Sequence, residues 1–119
     1  ANEAFIGVGI ASSAVSQQGG DVVMIANAPE GLVPHYLLGP FGEKQFGPEH
    51  QFSRVPEHVK RLIILNEYPD LAGRGWYAES EKVVFVDKWQ DVLNLLEKDY
   101  PSTAKVAIYP NSEIKYFTV

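Results

Sequence analysis

Cysteine is absent from this chain, which excludes disulfide bridges, thiolate nucleophiles and metal sites built on cysteine. Clusters of lysine or arginine are absent as well, and the formal net charge is −5 at pH 7. Phosphate backbones bind to basic surfaces, so we predict that nucleic acid is not a partner. The chain also has no apolar run near the ~20 residues that span a bilayer, and no secretory signal pattern at its N-terminus. These absences predict a cytoplasmic protein without a membrane partner.

What is present is ordinary for one globular domain of 119 residues, since 45% of the residues are hydrophobic and 21% are charged. A chain of this length and composition buries one core. It begins inside what reads as a helix, with neither a methionine nor a capping residue ahead of it. We therefore expect residues 1–119 to be a single domain, the C-terminal one, excised from a longer two-domain protein.

The fold prediction starts from residues 19–42, whose sequence indicates a turn, a buried strand, a loop and a helix in that order. Four consecutive apolar residues without polar alternation predict a strand over residues 22–26 that is covered on both faces, as the strands of parallel sheets are. Gly19 and Gly20 predict a tight turn before this strand. A polar loop and then a short apolar helix starting near His35 are predicted after it.

The rest of the chain continues the alternation of helix and strand. Residues 3–17 and 89–99 have apolar side chains at helical spacing. Further apolar runs predict strands over residues 61–66, 82–86 and 105–109, and the alternating residues 114–119 suggest an extra edge strand. This order predicts an α/β fold, namely a three-layer domain with a mostly parallel sheet of about four strands flanked by helices.

Polar residues follow the predicted strands at the points where these end. Asn27, Glu30 and His35 come after the first strand, and Glu67 comes after the second. In open α/β sheets ligands bind outside the carboxyl ends of the strands, so these residues are candidates for lining a substrate cleft. An ordinary loop rich in Asn, Pro and Gly has the same sequence character, and none of the four residues specifies a reaction.

Other polar residues have a structural interpretation. Asp87 ends the third predicted strand, and an N-cap of the following helix with Gln90 completing a capping box explains it without a ligand. Residues 43–56 are polar and contain helix breakers, which predicts a connection. His50 and His58 do not have the spacing of a helical metal pair and are interpreted as solvated loop histidines.

Three segments carry a resemblance: ANEAFIGVGIASSAVSQQGG (residues 1–20), DVVMIANAPEGLVPHYLLGPFG (21–42) and WQDVLNLLEKDYPSTAKVAIYPNSEIKYF (89–117). In order they contain a helix, a Gly-Gly turn, an apolar strand, a loop with an acidic residue, and later an aromatic-led helix before a KVAIYP strand. Together they resemble the C-terminal domain of the nickel-dependent lactate racemase-like family. The resemblance covers most of the chain.

The resemblance implies a two-domain enzyme with its cleft between the domains. The N-terminal domain of such proteins carries the acid/base histidines and a lysine-bound nickel pincer nucleotide, so this chain would hold no metal or cofactor and no catalytic residue. Its partners would be that domain and a small 2-hydroxy acid, which gives its hydride to the cofactor and regains it on the other face. The family's lysine in the first helix falls on Glu3 here, and the exchange of a cation for an anion speaks against lactate as the substrate.

Two hypotheses of different class remain open. The leading one is a cleft-forming domain of a 2-hydroxy acid racemase or epimerase, inactive alone. The alternative is a non-catalytic α/β module that binds a small ligand or a partner protein. A hydrolase using His35 with Glu30 or Glu67 has no supporting nucleophile or carboxylate motif. An apolar or mixed surface on the side of the helix over residues 3–17 and of the loop over residues 27–35 would favour the first hypothesis, and a closed polar surface there the second.

Overall fold

A computed structural model of the chain describes residues 2–29, 40–48, 53–68 and 77–110, with residues 2–6 and 80 described by their backbone alone. In chain order the helices and strands are α1 (Asn2–Ala14), β1 (Gly20–Ala26), α2 (Pro40–Phe46), β2 (Val59–Asn66), β3 (Val83–Val86) and α3 (Trp89–Asp99). A 3-10 turn, Ser80–Lys82, leads into β3. Over these ranges the structure contains no helix with the length and apolarity needed to cross a membrane.

The three strands form one parallel sheet in the order β1-β2-β3. Each strand arises from one of the apolar runs of the sequence, and the register places Val22 opposite Leu62 and Leu62 opposite Val83. The predicted α/β fold with helices flanking a parallel sheet is confirmed.

The sheet face that carries Val22, Leu62 and Val83 packs against α1, and we call it the α1 face. Its buried core is formed by Val8, Val22, Val55, Val59, Leu62, Ile64, Tyr77 and Val83. Val55 belongs to the connection between β1 and β2, and Tyr77 to the connection between β2 and β3. Both connections therefore cover the same face as α1.

The opposite face packs against α3, and we call it the α3 face. Arg61 is next to Leu62 and so points to this face, since side chains alternate along a strand. Its guanidinium donates to the carbonyl oxygen of Leu95 at 3.3 Å and pairs with the carboxylate of Asp99 at 2.8 Å, both in α3. It also pairs with Asp21 on β1. The helices thus lie on both sides of the sheet, in three layers.

An irregularity at the start of β2 supplies a second cation for α3. Gly20 lies opposite Val59 but Asp21 lies opposite Arg61, so Lys60 is an extra residue in the ladder. Lys60 Nζ lies 3.0 Å from Asp99 Oδ1. Its hydrogen bond and charge, together with those of Arg61, lower the pKa of Asp99 although partial burial acts in the opposite sense.

The Gly-Gly turn before β1 has the geometry that its sequence predicts. Gly19 has a φ of 106°, which favours glycine, and a Cβ added to Gly20 would lie 2.9 Å from Cγ1 of Val15. The first glycine is therefore needed for its backbone conformation. The second allows the end of α1 to approach the start of β1.

The connection predicted over residues 43–56 is wrong in its first part, because Glu43 to Phe46 form the second half of α2. Gly47 acts as the C-terminal cap of this helix. Its φ is 97°, and its N–H donates to the carbonyl oxygen of Glu43 at 2.9 Å. The helix predicted to start near His35 begins outside the described residues.

The capping box predicted at Asp87 is also wrong. Lys88 is the N-cap of α3 and makes no side-chain capping bond. β3 ends at Val86, so two residues separate it from the helix and Asp87 lies one position too early to cap. Gln90 instead donates from Nε2 to Oδ1 of Asn94 at 3.0 Å.

The described sheet has three strands where about four were predicted, because residues 105–109 are in no strand of the described chain. Val106 and Ile108 are 77% and 80% exposed. The further edge strand predicted over residues 114–119 lies outside the described residues.

Candidate functional site

The three strands end together, and we call this end of the sheet the carboxyl edge. Ala26 lies opposite Asn66, and Leu65 lies opposite Val86. The next residues along the chain, Asn27 after β1 and Glu67 after β2, therefore lie at the same edge, and both are exposed. In parallel α/β sheets this is the edge where ligands bind.

Asn66 fixes the backbone of the carboxyl edge. The residue is 3% exposed. Its Oδ1 accepts hydrogen bonds from the N–H of Ala28 at 3.3 Å and of Tyr68 at 3.4 Å, and its Nδ2 donates to the carbonyl oxygen of Ala28 at 3.2 Å. One buried amide thus joins the loop after β1 to the loop after β2. The amide holds Ala28 directly after the exposed Asn27, and the sheet pairing holds Ala26 directly before it.

Sequence reasoning counted Asn66 only as the end of a strand. Its position in the sequence could have indicated this role, because an amide side chain directly follows a fully apolar run at the end of a strand, where the loop of a neighbouring strand is close. A polar side chain that is buried among apolar neighbours needs partners, and the backbone of an adjacent loop provides them.

Glu67 and Tyr68 form a polar pair at this edge. The charge of the Glu67 carboxylate, and a hydrogen bond to it, raise the pKa of the Tyr68 phenol above its ordinary value. In this hydrogen bond the phenol donates and the carboxylate accepts. Such a pair suits a ligand that carries hydroxyl or amide donors.

Apolar side chains are exposed at the same edge. Ile25 near the end of β1 is 69% exposed, and Trp89 at the start of α3 is 49% exposed. Ile25 points to the α3 face, where α3 covers β2 and β3. The carboxyl edge thus exposes both apolar side chains, Ile25 and Trp89, and polar ones, Asn27 and Glu67, with the apolar pair on the side of α3 and not on the expected side of α1.

The structure brings together only part of the predicted site. Asn27 and Glu67 share the carboxyl edge, whereas Glu30 and His35 lie outside the described residues. Glu3 is in the first turn of α1, where the backbone alone is described. His50 lies outside the described residues, as Glu30 and His35 do.

His58 differs from its prediction as a solvated histidine. It is half-buried, and its Nε2 donates to the carbonyl oxygen of Ser12 at 2.9 Å. The bond ties the segment before β2 to α1. A cavity of about 320 Å³ adjoins His58 at the opposite, amino-terminal edge of the sheet, where Lys60, Glu57 and residues 17–20 line it.

The described residues do not fit a nickel ion. Within residues 2–29, 40–48, 53–68 and 77–110, no three His, Asp or Glu side chains lie close enough together to hold a metal. Zinc, nickel and related ions need at least three such ligands from a protein.

We compared the chain with models of protein families, with curated proteins and with solved structures, and none of them matched. The residues of the carboxyl edge are therefore the basis for assigning a function.

Proposed function

We propose that this chain is the cleft-forming domain of a lactate racemase-like enzyme that racemises or epimerises 2-hydroxy acids, and that it is inactive without a second domain. The main support is the mixed surface of the carboxyl edge, where Ile25 and Trp89 are exposed at the same edge as Asn27 and Glu67. A domain that forms one wall of a cleft leaves such a surface for its partner domain and its substrate.

In this proposal the chain binds and encloses the substrate. The Asn27 amide and the Glu67 carboxylate hydrogen-bond to polar groups of the hydroxy acid, and Asn66 holds their backbone in place. Ile25 and Trp89 keep water out of the closed cleft. The acid/base groups, a cation for the substrate carboxylate and the nickel pincer nucleotide, which would supply the hydride chemistry, belong to the N-terminal domain.

The proposal concerns a cytoplasmic protein whose partners are that domain and a small hydroxy acid. Nucleic acid and membranes are not among them. With a net charge of −5, the chain would repel phosphate backbones and anionic lipid surfaces.

The test uses the parent protein, produced together with the enzymes that assemble the nickel nucleotide. Bound nickel is quantified, and racemisation is followed by chiral chromatography for a panel of 2-hydroxy acids. Asn27→Ala and Glu67→Gln are each expected to lower kcat/KM roughly tenfold with nickel content unchanged, since one hydrogen bond to the substrate is worth about 1.4 kcal/mol. Gln17→Ala, at the opposite edge of the sheet, is the matched control and should leave kcat/KM unchanged.

A folded parent without nickel and without turnover, while a known racemase is loaded by the same assembly enzymes, would overturn the proposal. The chain would then be assigned to the alternative, a non-catalytic module that binds a small ligand or a partner. Turnover that responds equally to Asn27→Ala and to Gln17→Ala would place the cleft away from the carboxyl edge.

A further inference from the structure

The path of the chain around the sheet restricts where a further strand can be added. The connection from β1 to β2 contributes Val55 and the connection from β2 to β3 contributes Tyr77 to one core, on the α1 face. α3 leaves β3 on the other face, where Arg61 bonds to Leu95 and Asp99. The chain has therefore changed faces after its third strand.

Connections between parallel strands of one sheet are right-handed in about 98% of cases. Right-handed connections on the α1 face carry the chain from β1 through β2 to β3. A right-handed connection on the opposite face must carry it back in the other direction. Because β2 already lies between β1 and β3, the next parallel strand belongs beside β1, and a position beside β3 would need a left-handed connection.

Residues 104–109 (AKVAIY) have the composition of that strand. Lys105 is its one charged residue, the four residues after it are apolar, and its β-branched members Val106 and Ile108 are 77% and 80% exposed. It follows α3 on the chain. α3 ends at Asp99 beside Lys60 and Arg61, near the start of β2, which is the end of the sheet where a parallel strand must begin.

The hinge before this segment ends the helix. Tyr100 has φ −128° and ψ 67°, outside the helical region, and is followed by Pro101, which disfavours the helical conformation in the residue before it. In the single chain the segment leaves α3 and stays outside the sheet, while Ile25 of β1 remains 69% exposed. Exchange of an identical element between two copies is a low-cost route to a dimer, and short hinge loops promote it.

We propose that two copies of this chain exchange their residues 104–109, so that the segment of each copy adds as a parallel fourth strand to β1 of the other. The exchange covers Ile25, Val106 and Ile108 and pairs the edge of β1 that no other described strand occupies. The strand order becomes that of a doubly wound sheet, with its change of direction between the added strand and β1. A crevice forms at such a point, so the exchanged strand of one copy would border Asn27 of the other.

The first measurement is the mass in solution by size exclusion with light scattering. The wild-type chain is expected at twice its monomer mass. Val106→Glu and Ile108→Glu place a charge on the exchanged strand, and each should give a monomer with an unchanged far-UV circular dichroism spectrum. Trp89→Glu also introduces a charge at an exposed apolar residue, but outside the exchanged strand, and should remain dimeric.

A second measurement distinguishes exchange from pairing within one chain. The chain lacks cysteine, so Ile25→Cys and Val106→Cys can be introduced in separate, differently tagged chains that are unfolded, mixed and refolded. A short bismaleimide should link the two chains to each other. A monomeric wild type, or a link that forms only inside a chain carrying both cysteines, would overturn the exchange. Neither result depends on racemase activity, so failure here leaves the proposed function standing.

Discussion

Arg61 is the residue on which the α3 face depends most. Its guanidinium pairs with the Asp21 carboxylate, which is 2% exposed, and with Asp99. A carboxylate buried to this degree has little access to water, so it needs its cation. Arg61→Met leaves Asp21 without it, and the free energy of unfolding measured in urea should fall by about 3–5 kcal/mol.

The surface pair of Arg54 and Glu79 is the matched control for this substitution. Their side chains are 3.1 Å apart, but Arg54 is largely exposed and water screens the pair. Arg54→Met should cost no more than about 1 kcal/mol. Equal losses of unfolding free energy for Arg54→Met and Arg61→Met would show that the buried ion pair stabilises the fold no more than the exposed one.

The ion pair of Arg61 and Asp21 also contains polar atoms that lack hydrogen-bond partners. Oδ1 of Asp21 and Nε of Arg61 are buried and have no hydrogen-bond partner among the described residues. Removing both charges together should therefore cost much less than removing one. We expect Asp21→Leu with Arg61→Met to recover most of the stability that Arg61→Met loses.

At the scale of elements, Asn66 joins the ends of β1 and β2. Asn66→Ala leaves the N–H and carbonyl of Ala28 without their side-chain partner, which should cost about 1–3 kcal/mol of unfolding free energy. Besides lowering the stability of the whole domain, the substitution should also loosen the loop after β1. Amide hydrogen exchange at Ala28 is expected to accelerate, because the loop after β1 is no longer held.

Asn27→Ala is the control for Asn66→Ala, because Asn27 is the exposed neighbour in the same loop. It should change the unfolding free energy by no more than about 0.5 kcal/mol. Unchanged exchange at Ala28 in Asn66→Ala would mean that other contacts hold the loop, and the role assigned to Asn66 would be wrong.

Elements whose formation depends on apolar pattern could be predicted from the sequence. The apolar runs gave β1, β2 and β3, and the helical spacing of Trp89, Val92 and Leu96 gave α3 with its end at Asp99. These patterns suffice because burying an apolar face dominates the folding of a segment. The parallel sheet then follows from the order of the elements.

Features that depend on tertiary contacts could not be predicted. Residues 105–109 have a strand's composition, but a strand also needs a neighbour, and no partner edge is engaged in the described chain. Gly47 was interpreted as a helix breaker when it is a helix cap, since both uses exploit the same freedom of φ. At the candidate site the exposed Asn27 and Glu67 could be placed in advance, but the buried amide of Asn66 could not.

At the scale of the whole molecule, one buried phenol makes the free energy of unfolding depend on pH in the alkaline range. Tyr77 is 5% exposed in the core of the α1 face, and burial raises its pKa to about 12. The unfolded chain ionises this group near pH 10. Burial of the neutral phenol therefore favours the folded state fully below pH 10, and this contribution is lost as the pH rises through 12.

Tyr77→Phe keeps the ring and removes the ionisation, which makes it the comparison for this effect. Between pH 10 and 12 the unfolding free energy of the wild type should fall by about 2 kcal/mol more than that of Tyr77→Phe, because two pKa units correspond to about 2.7 kcal/mol. The slope against pH is the measurement, since the substitution also shifts stability equally at every pH. Parallel curves for the two proteins would show that burial does not raise the pKa of Tyr77 in the folded chain.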